Sequence, residues 1–180
     1  MQTEERELAL RHLSASCERL LQAVAGLADG QCGFRPAEDR WSVADCVEHL
    51  VIVENFVLHT MHRVLQGPAD AAKQAEVRGK EQIILEKVPA RNTRVKGPAE
   101  VMPTRRWPEF AGLLREFEAT RARSVQFATE TQAKLHHYFF PHPILGDLDC
   151  YQWILFLGTH CERHVRQLEE VQADPAFPRG

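Results

Sequence analysis

Four stretches of this 180-residue chain carry apolar side chains every three or four residues, and none sustains the alternation of a half-buried strand bounded by hairpin turns. The first, residues 3 to 29, places Leu10, Leu13, Cys17, Leu20, Leu21, Val24 and Leu27 on one helical stripe. Glu4, Glu5 and Glu7 suit its first turn and Gly30 suits its end. The second, about 42 to 67, is announced by RWSVADCVEHL, where Ser42 can cap and Asp45 can answer it three residues on; QGP stops it. The third, about 106 to 132, carries Phe110, Leu113, Leu114, Phe117 and Val125. The fourth, about 149 to 172, follows FFPHPILGDLD and opens with a second capping box, Asp149 with Gln152. Residues 68 to 105 differ: they are rich in Pro, Gly and charge, with at most a short helix around 69 to 86. Connections this long inside a domain are usually functional or mobile. The pattern predicts an all-α fold, a four-helix bundle in one domain over residues 1–180, with a long crossover connection between helices two and three.

Charge and cysteine usage exclude several functions. The 22 Lys and Arg and 25 Asp and Glu residues are spread without a block of like charge, which argues against nucleic-acid binding. The first twenty residues are charged every few positions and no apolar run reaches bilayer-spanning length, so a soluble, cytoplasmic protein without membrane contact is expected. Five cysteines are an odd number and none forms a CxxC pair, which predicts reduced thiols. Cys17 and Cys46 fall among apolar neighbours, as small buried side chains do.

The fourth stretch contains GTHCERHVRQL. At roughly 100° per residue, Trp153, Leu157, His160, His164, Leu168 and Val171 share one face, so both imidazoles point inward with the apolar residues. Neutral imidazole is the commonest metal ligand, and this spacing lets two rings reach one ion. Spacing alone is a weak signal among nine histidines, and two buried polar rings bonded to carboxylates or backbone would read the same way. Neither zinc-protease motif fits, because Glu162 sits midway between the histidines, about 200° round the helix from His160, and should face solvent. Cys161 is also off the pair. A third ligand must come from another helix, and the candidate is His49, in the apolar surroundings of ADCVEHLVIVENF. His12, His59, His62, His136 and His137 lie in charged or boundary contexts and read as solvated or locally hydrogen-bonded. His142, before Pro143, is either structural or close to the site mouth. Glu54 and Arg121 fall on predicted core stripes; they either pair with one another or line a polar pocket beside the metal, unless both helices are rotated toward solvent.

At these residues the chain resembles a known family. RWSVADCVEHL, followed about a hundred residues later by HPILGDLDCYQWILFLGTHCERHVRQLEEV, is similar to the DinB/YfiT-like superfamily of four-helix-bundle metal-dependent hydrolases. The resemblance covers roughly residues 5 to 172 and is most specific at the Trp-Ser helix start with a histidine seven residues on, the His-Pro-x-x-Gly turn and the HxxxH of the last helix. It implies that His49, His160 and His164 bind a divalent metal, zinc or nickel, and it implies a homodimer for some relatives. Three histidines leave a coordination position open, at which water is activated or a thiol held as thiolate. The expected activity is therefore that of a hydrolase, or of an S-transferase using a low-molecular-weight thiol, acting on a small-molecule substrate whose entrance residues 68 to 105 would shape. Glu54, Arg121 and His142 are the supporting candidates around the ion. The alternative is a non-catalytic bundle, in which the metal only staples helices two and four, serving a stress response or binding a small molecule.

Overall fold

Both expected capping boxes are present and fix where two long helices begin. Ser42 Oγ accepts the Asp45 N–H at 3.0 Å while Asp45 accepts the Ser42 N–H at 2.8 Å. Asp149 accepts the Gln152 N–H at 2.7 Å and Gln152 accepts in return at 3.1 Å. The computed structural model describes residues 1–91 and 97–179. Its four long helices are α1 (Thr3–Val24), α3 (Val43–Val64), α6 (Phe110–Glu130) and α7 (Cys150–Gln172); shorter ones are α2 (Asp29–Gly33), α4 (Gln74–Val77) and α5 (Lys80–Lys87). Among the described residues no helix is long and apolar enough to cross a membrane.

Two boundaries depart from the pattern. The first helix ends at Val24 rather than near residue 29, because Gly26 takes φ +76° and turns the chain; Gly30 lies inside α2. The third begins at Phe110 rather than 106, since Arg105 has φ +58° and Pro108 follows. A two-stranded hairpin was not expected: β1 (Phe139–His142) pairs antiparallel with β2 (Gly146–Asp149). Four residues per strand are too few to show alternation, and Phe139, Phe140 and Pro141 hide what there is. The turn is held by Gly146 at φ +67° and by Lys80, whose ammonium donates to the Leu145 and Asp147 carbonyls at 2.8 and 2.7 Å.

Helix directions follow from which residues meet. His62 packs on Phe127, Glu54 meets Arg121 and Glu48 meets Thr104, so α3 and α6 run side by side in the same direction. Helices α1 and α7 are also parallel: His12 lies against Gly158, Ser16 against Cys161, Arg19 against Glu162 and Ala23 against Gln172. A parallel α3–α6 pair obliges the chain between them to travel back along the bundle. It does so on the outside of α7, where Gln152 donates to the Val77 carbonyl, Arg163 to the Val88 and Ala90 carbonyls, and Arg91 to Gln167 and Glu170. Residues 92–96 of the predicted connection lie outside the described residues.

The core has two apolar clusters, one around Leu13, Val57, Met61, Ile154 and Leu155, the other around Leu20, Val47, Leu50, Phe117, Val165 and Leu168. Each fully buried Leu or Phe contributes roughly 1.5–3 kcal/mol. A polar layer of Ser16, Glu54, Arg121 and Ser124, all buried, lies between the clusters. Because α7 is covered by α1, α3 and the returning connection, all its residues from Cys150 to Thr159 are buried.

Two predictions follow from this packing. A Cβ on Gly158 would meet the His12 Cβ at 2.8 Å and its carbonyl carbon at 2.9 Å, and backbone cannot give way cheaply. Gly158→Ala is expected to lower unfolding free energy by about 1–3 kcal/mol in urea titration. His136 donates to Asp149 at 2.9 Å and to Glu5 at 3.1 Å, joining the cap of α7 to the first turn of α1. Its hydrogen bonds to these carboxylates raise its pKa to about 9 from 6.5. The clamp is therefore complete below about pH 6.5 and is lost as pH rises to about 9. Wild type should lose roughly 2 kcal/mol more than His136→Gln between pH 6 and 9.5, a difference read from paired urea midpoints.

Candidate metal centre

The start of α3 and the middle of α7 face one another across the bundle, with His49 and His164 buried and His160 half-buried. His49, His160 and His164 each offer a ring nitrogen, and these atoms lie within 4.8 Å of one another. The Nε2 atoms of His160 and His164 are 3.1 Å apart, close to the roughly 3.3 Å expected of two imidazoles on one tetrahedral zinc at its usual bond length. His49 donates from Nδ1 to the Val101 carbonyl at 2.7 Å. A carbonyl only accepts, so the proton of the neutral ring is on Nδ1 and the lone pair is on Nε2. His164 Nδ1 is buried without a hydrogen-bond partner among the described residues, which leaves the cluster short of the bonds that buried imidazoles need.

Aromatic walls fix the rings. Trp41 stacks on His164 at 5.8 Å between centroids and leans on His49 at 4.9 Å. Phe156, one turn before His160, stacks on that ring at 4.8 Å. Burial drives the His49 pKa down to about 4 and holds His160 and His164 well below the ordinary value, with neighbouring imidazoles adding to both. At neutral pH all three are uncharged, the form that binds a cation. Three neutral nitrogen donors on two rigid helices, one already oriented by a backbone carbonyl, fit a divalent ion.

The remaining candidates have other work. Glu54 and Arg121 pair with each other: Arg121 donates to Glu54 at 2.9 Å from two nitrogens, and Ser124 donates to the same carboxylate at 2.6 Å. Arg121 also donates to the Leu13 carbonyl and to Ser16 at 2.7 and 2.8 Å, so the charges are satisfied within the polar layer and neither joins the histidine cluster. His142 supports the hairpin turn, its Nδ1 accepting the Ile144 and Leu145 N–H groups at 3.1 Å, and its ring packs on the Phe156 that also stacks on His160. Glu162 does not face open solvent; α1 covers that side of α7, and Arg19 pairs with it at 2.6 Å. Cys161 donates to the Ser16 carbonyl, and all five cysteines are free thiols. His59 and His62 are exposed. A second group, Glu81, His136 and Asp149, also lies within 4.8 Å, but there both His136 nitrogens are already bonded, to Asp149 and Glu5, and Glu81 accepts from Gln152.

Sequence reasoning missed Trp41, Phe156 and Val101 as parts of the centre. Phe156 was legible as the residue four before His160, and Trp41 as the residue before the capping serine. Val101 carried no signal, because its contribution is a backbone carbonyl delivered by the connection.

The chain is similar to known proteins in sequence and in fold. The sequence model of the DinB superfamily matches residues 12–168. Uncharacterized protein YuaE of Bacillus subtilis (strain 168) is 25% identical over 149 residues, covering 83% of this chain and 88% of that one. YfiT from Bacillus subtilis, described as a probable metal-dependent hydrolase with an unusual four-helix bundle topology, superposes with a TM-score of 0.64. At 16% identity over 99% of this chain and 91% of YfiT, that likeness shows the fold.

The polar layer can be tested apart from the histidines. Glu54→Gln leaves a buried guanidinium without its counter-charge and should cost about 3–5 kcal/mol in urea unfolding. Zinc binding by the folded fraction should stay within about twofold of wild type, measured by competition with a chromophoric chelator.

Proposed function

The chain belongs to the DinB superfamily, and from that premise we propose that it is a metal-dependent hydrolase of a small-molecule substrate, built on a divalent ion held by His49, His160 and His164. The observation that carries this reading is the convergence of three neutral imidazoles from two separated helices within 4.8 Å. A zinc or nickel ion held there would supply Lewis-acid activation of a nucleophile and of the substrate oxygen. The protein's own contribution is positional. Val101 fixes the His49 ring, Trp41 and Phe156 hold the other two, and the apolar walls keep competing water out. The cluster has three members among the described residues, which favours an open coordination direction over the closed set of four expected of a helix staple.

A thiol-dependent transferase is the second reading, favoured by one observation. Glu48, the acid beside His49, is committed to backbone N–H groups of residues 104–106, and Glu162 to Arg19, so neither serves as a general base. A thiol bound as thiolate needs no such base once its proton is lost.

Protein purified without added ions should contain about one equivalent of zinc or nickel by plasma mass spectrometry. His49→Ala and His160→Ala should each be purified without it and bind added zinc far more weakly, and chelation should lower the melting temperature of wild type alone. Ester and amide hydrolysis restored by zinc or nickel supports the hydrolase; turnover only with an added thiol and an electrophile supports the transferase. Wild type that neither retains nor takes up metal overturns both.

A further inference from the structure

Beside the metal ligand on α3 lies a carboxylate whose role the proposed reaction does not use. Glu48 is 2% exposed, a costly place for an acid unless its oxygens are bonded. It accepts the Thr104 N–H at 2.9 Å and hydroxyl at 3.0 Å, the Arg105 N–H at 2.8 Å and, more weakly, the Arg106 N–H at 3.5 Å. Successive backbone N–H groups converging on one anion form a nest, and such a nest requires a residue in the left-handed region. Here that residue is Arg105 at φ +58°, the non-glycine residue with positive φ among those described. A long side chain holds that conformation only where its surroundings impose it, and the Glu48 carboxylate supplies the imposing contact.

Three residues upstream of the nest is Val101, whose carbonyl accepts from His49 Nδ1 at 2.7 Å. Consecutive residues of α3 thus grip both ends of one short extended segment: Glu48 holds residues 104–106, and His49 holds residue 101. The segment must arrive in one position for the carbonyl to meet Nδ1, and the buried charge–nest contact is the polar anchor next to it.

We propose that Glu48 is a positioning residue for the three-histidine centre: by holding residues 104–106 it places the Val101 carbonyl, and so selects the His49 tautomer whose Nε2 lone pair faces His160 and His164. The consequence for metal affinity rests on the function proposed above; the consequence for the tautomer does not. Glu48→Gln keeps the shape but loses the charge and turns an amide N–H₂ toward the nest. Without the anchor, the segment drifts and Nδ1 loses its acceptor.

The test uses full-length protein labelled with ¹⁵N at histidine. In metal-stripped wild type, long-range ¹H–¹⁵N correlation should show His49 protonated at Nδ1 alone; in Glu48→Gln a second population protonated at Nε2 should appear while the other histidine signals keep their positions. Zinc should bind Glu48→Gln about 10–100-fold more weakly than wild type. In a His49→Ala background the same change should leave the residual zinc affinity unaltered, which a loosening of the whole bundle would not do. Should Glu48→Gln not fold, Thr104→Val removes one Glu48 contact at an exposed position and should shift the tautomer the same way by less. A single Nδ1 tautomer in both variants, or equal weakening of zinc with and without His49, overturns the proposal. Failure of wild type to bind zinc would instead overturn the metal reading, with the tautomer measurement still deciding the role of Glu48.

Discussion

A buried guanidinium in mid-bundle ties three of the four long helices to one register. Arg121 of α6 reaches Glu54 of α3 and, with a different nitrogen, the Leu13 carbonyl and Ser16 of α1. Both charges lie in the interior, where a broken pair is expensive and an alternative register would break it. Such a pair contributes little net stability compared with apolar residues of equal size; what it adds is selection against shifted packings that the two apolar clusters above and below would otherwise tolerate. In the register it selects, α3 and α6 lie side by side in one direction.

That direction has a chemical consequence. An antiparallel pair could be joined by a short turn, and no chain would then pass over α7 or return to the start of α3. The parallel pair requires the crossover, and the crossover brings Val101 to His49 and Thr104 to Glu48. The same returning chain covers the outer side of α7, so the helix that carries His160 and His164 is buried well beyond one stripe. Desolvation among packed helices and aromatic rings, with neighbouring imidazoles and arginines adding to it, keeps those imidazoles neutral. A pair of histidines on an ordinary surface helix would titrate near neutrality and compete with any ion for protons.

Local rules made the helices legible. Ser42 with Asp45 and Asp149 with Gln152 mark starts that need no tertiary information, and the apolar stripes carry the rest. Where the pattern misled, a longer-range contact or a single backbone torsion had decided the matter. Gly26 ended the first helix before the periodicity faded, and Lys80, distant in sequence, stabilises a hairpin too short to show a period. That His160 and His164 share one face was readable from their phase on the last helix, and the burial of His49 from its apolar neighbours. The partnership of Glu54 with Arg121 was readable only as one of two outcomes, since residues on separate helices declare their charge but not their register. Glu162 was misplaced because phase on a helix says which faces differ, not which neighbours cover them.

The contrast between the two ends of α7 shows how one residue type is put to opposite uses. Before its first turn, His136 sits between Glu5 and Asp149, and the paired carboxylates keep it a cation far above its ordinary range. A cation there ties together two helix starts whose carboxylates already lie near positive helix ends, so it neutralises charge that would otherwise repel. Half-way along, His160 and His164 have aromatic rings and one another for company, with no carboxylate in their cluster among the described residues, and they remain neutral. Histidine alone among side chains permits both outcomes at one pH, because modest surroundings move its pKa across neutrality in either direction. The clamp therefore holds the frame with a proton, while the centre gathers three uncharged rings within 4.8 Å of one another.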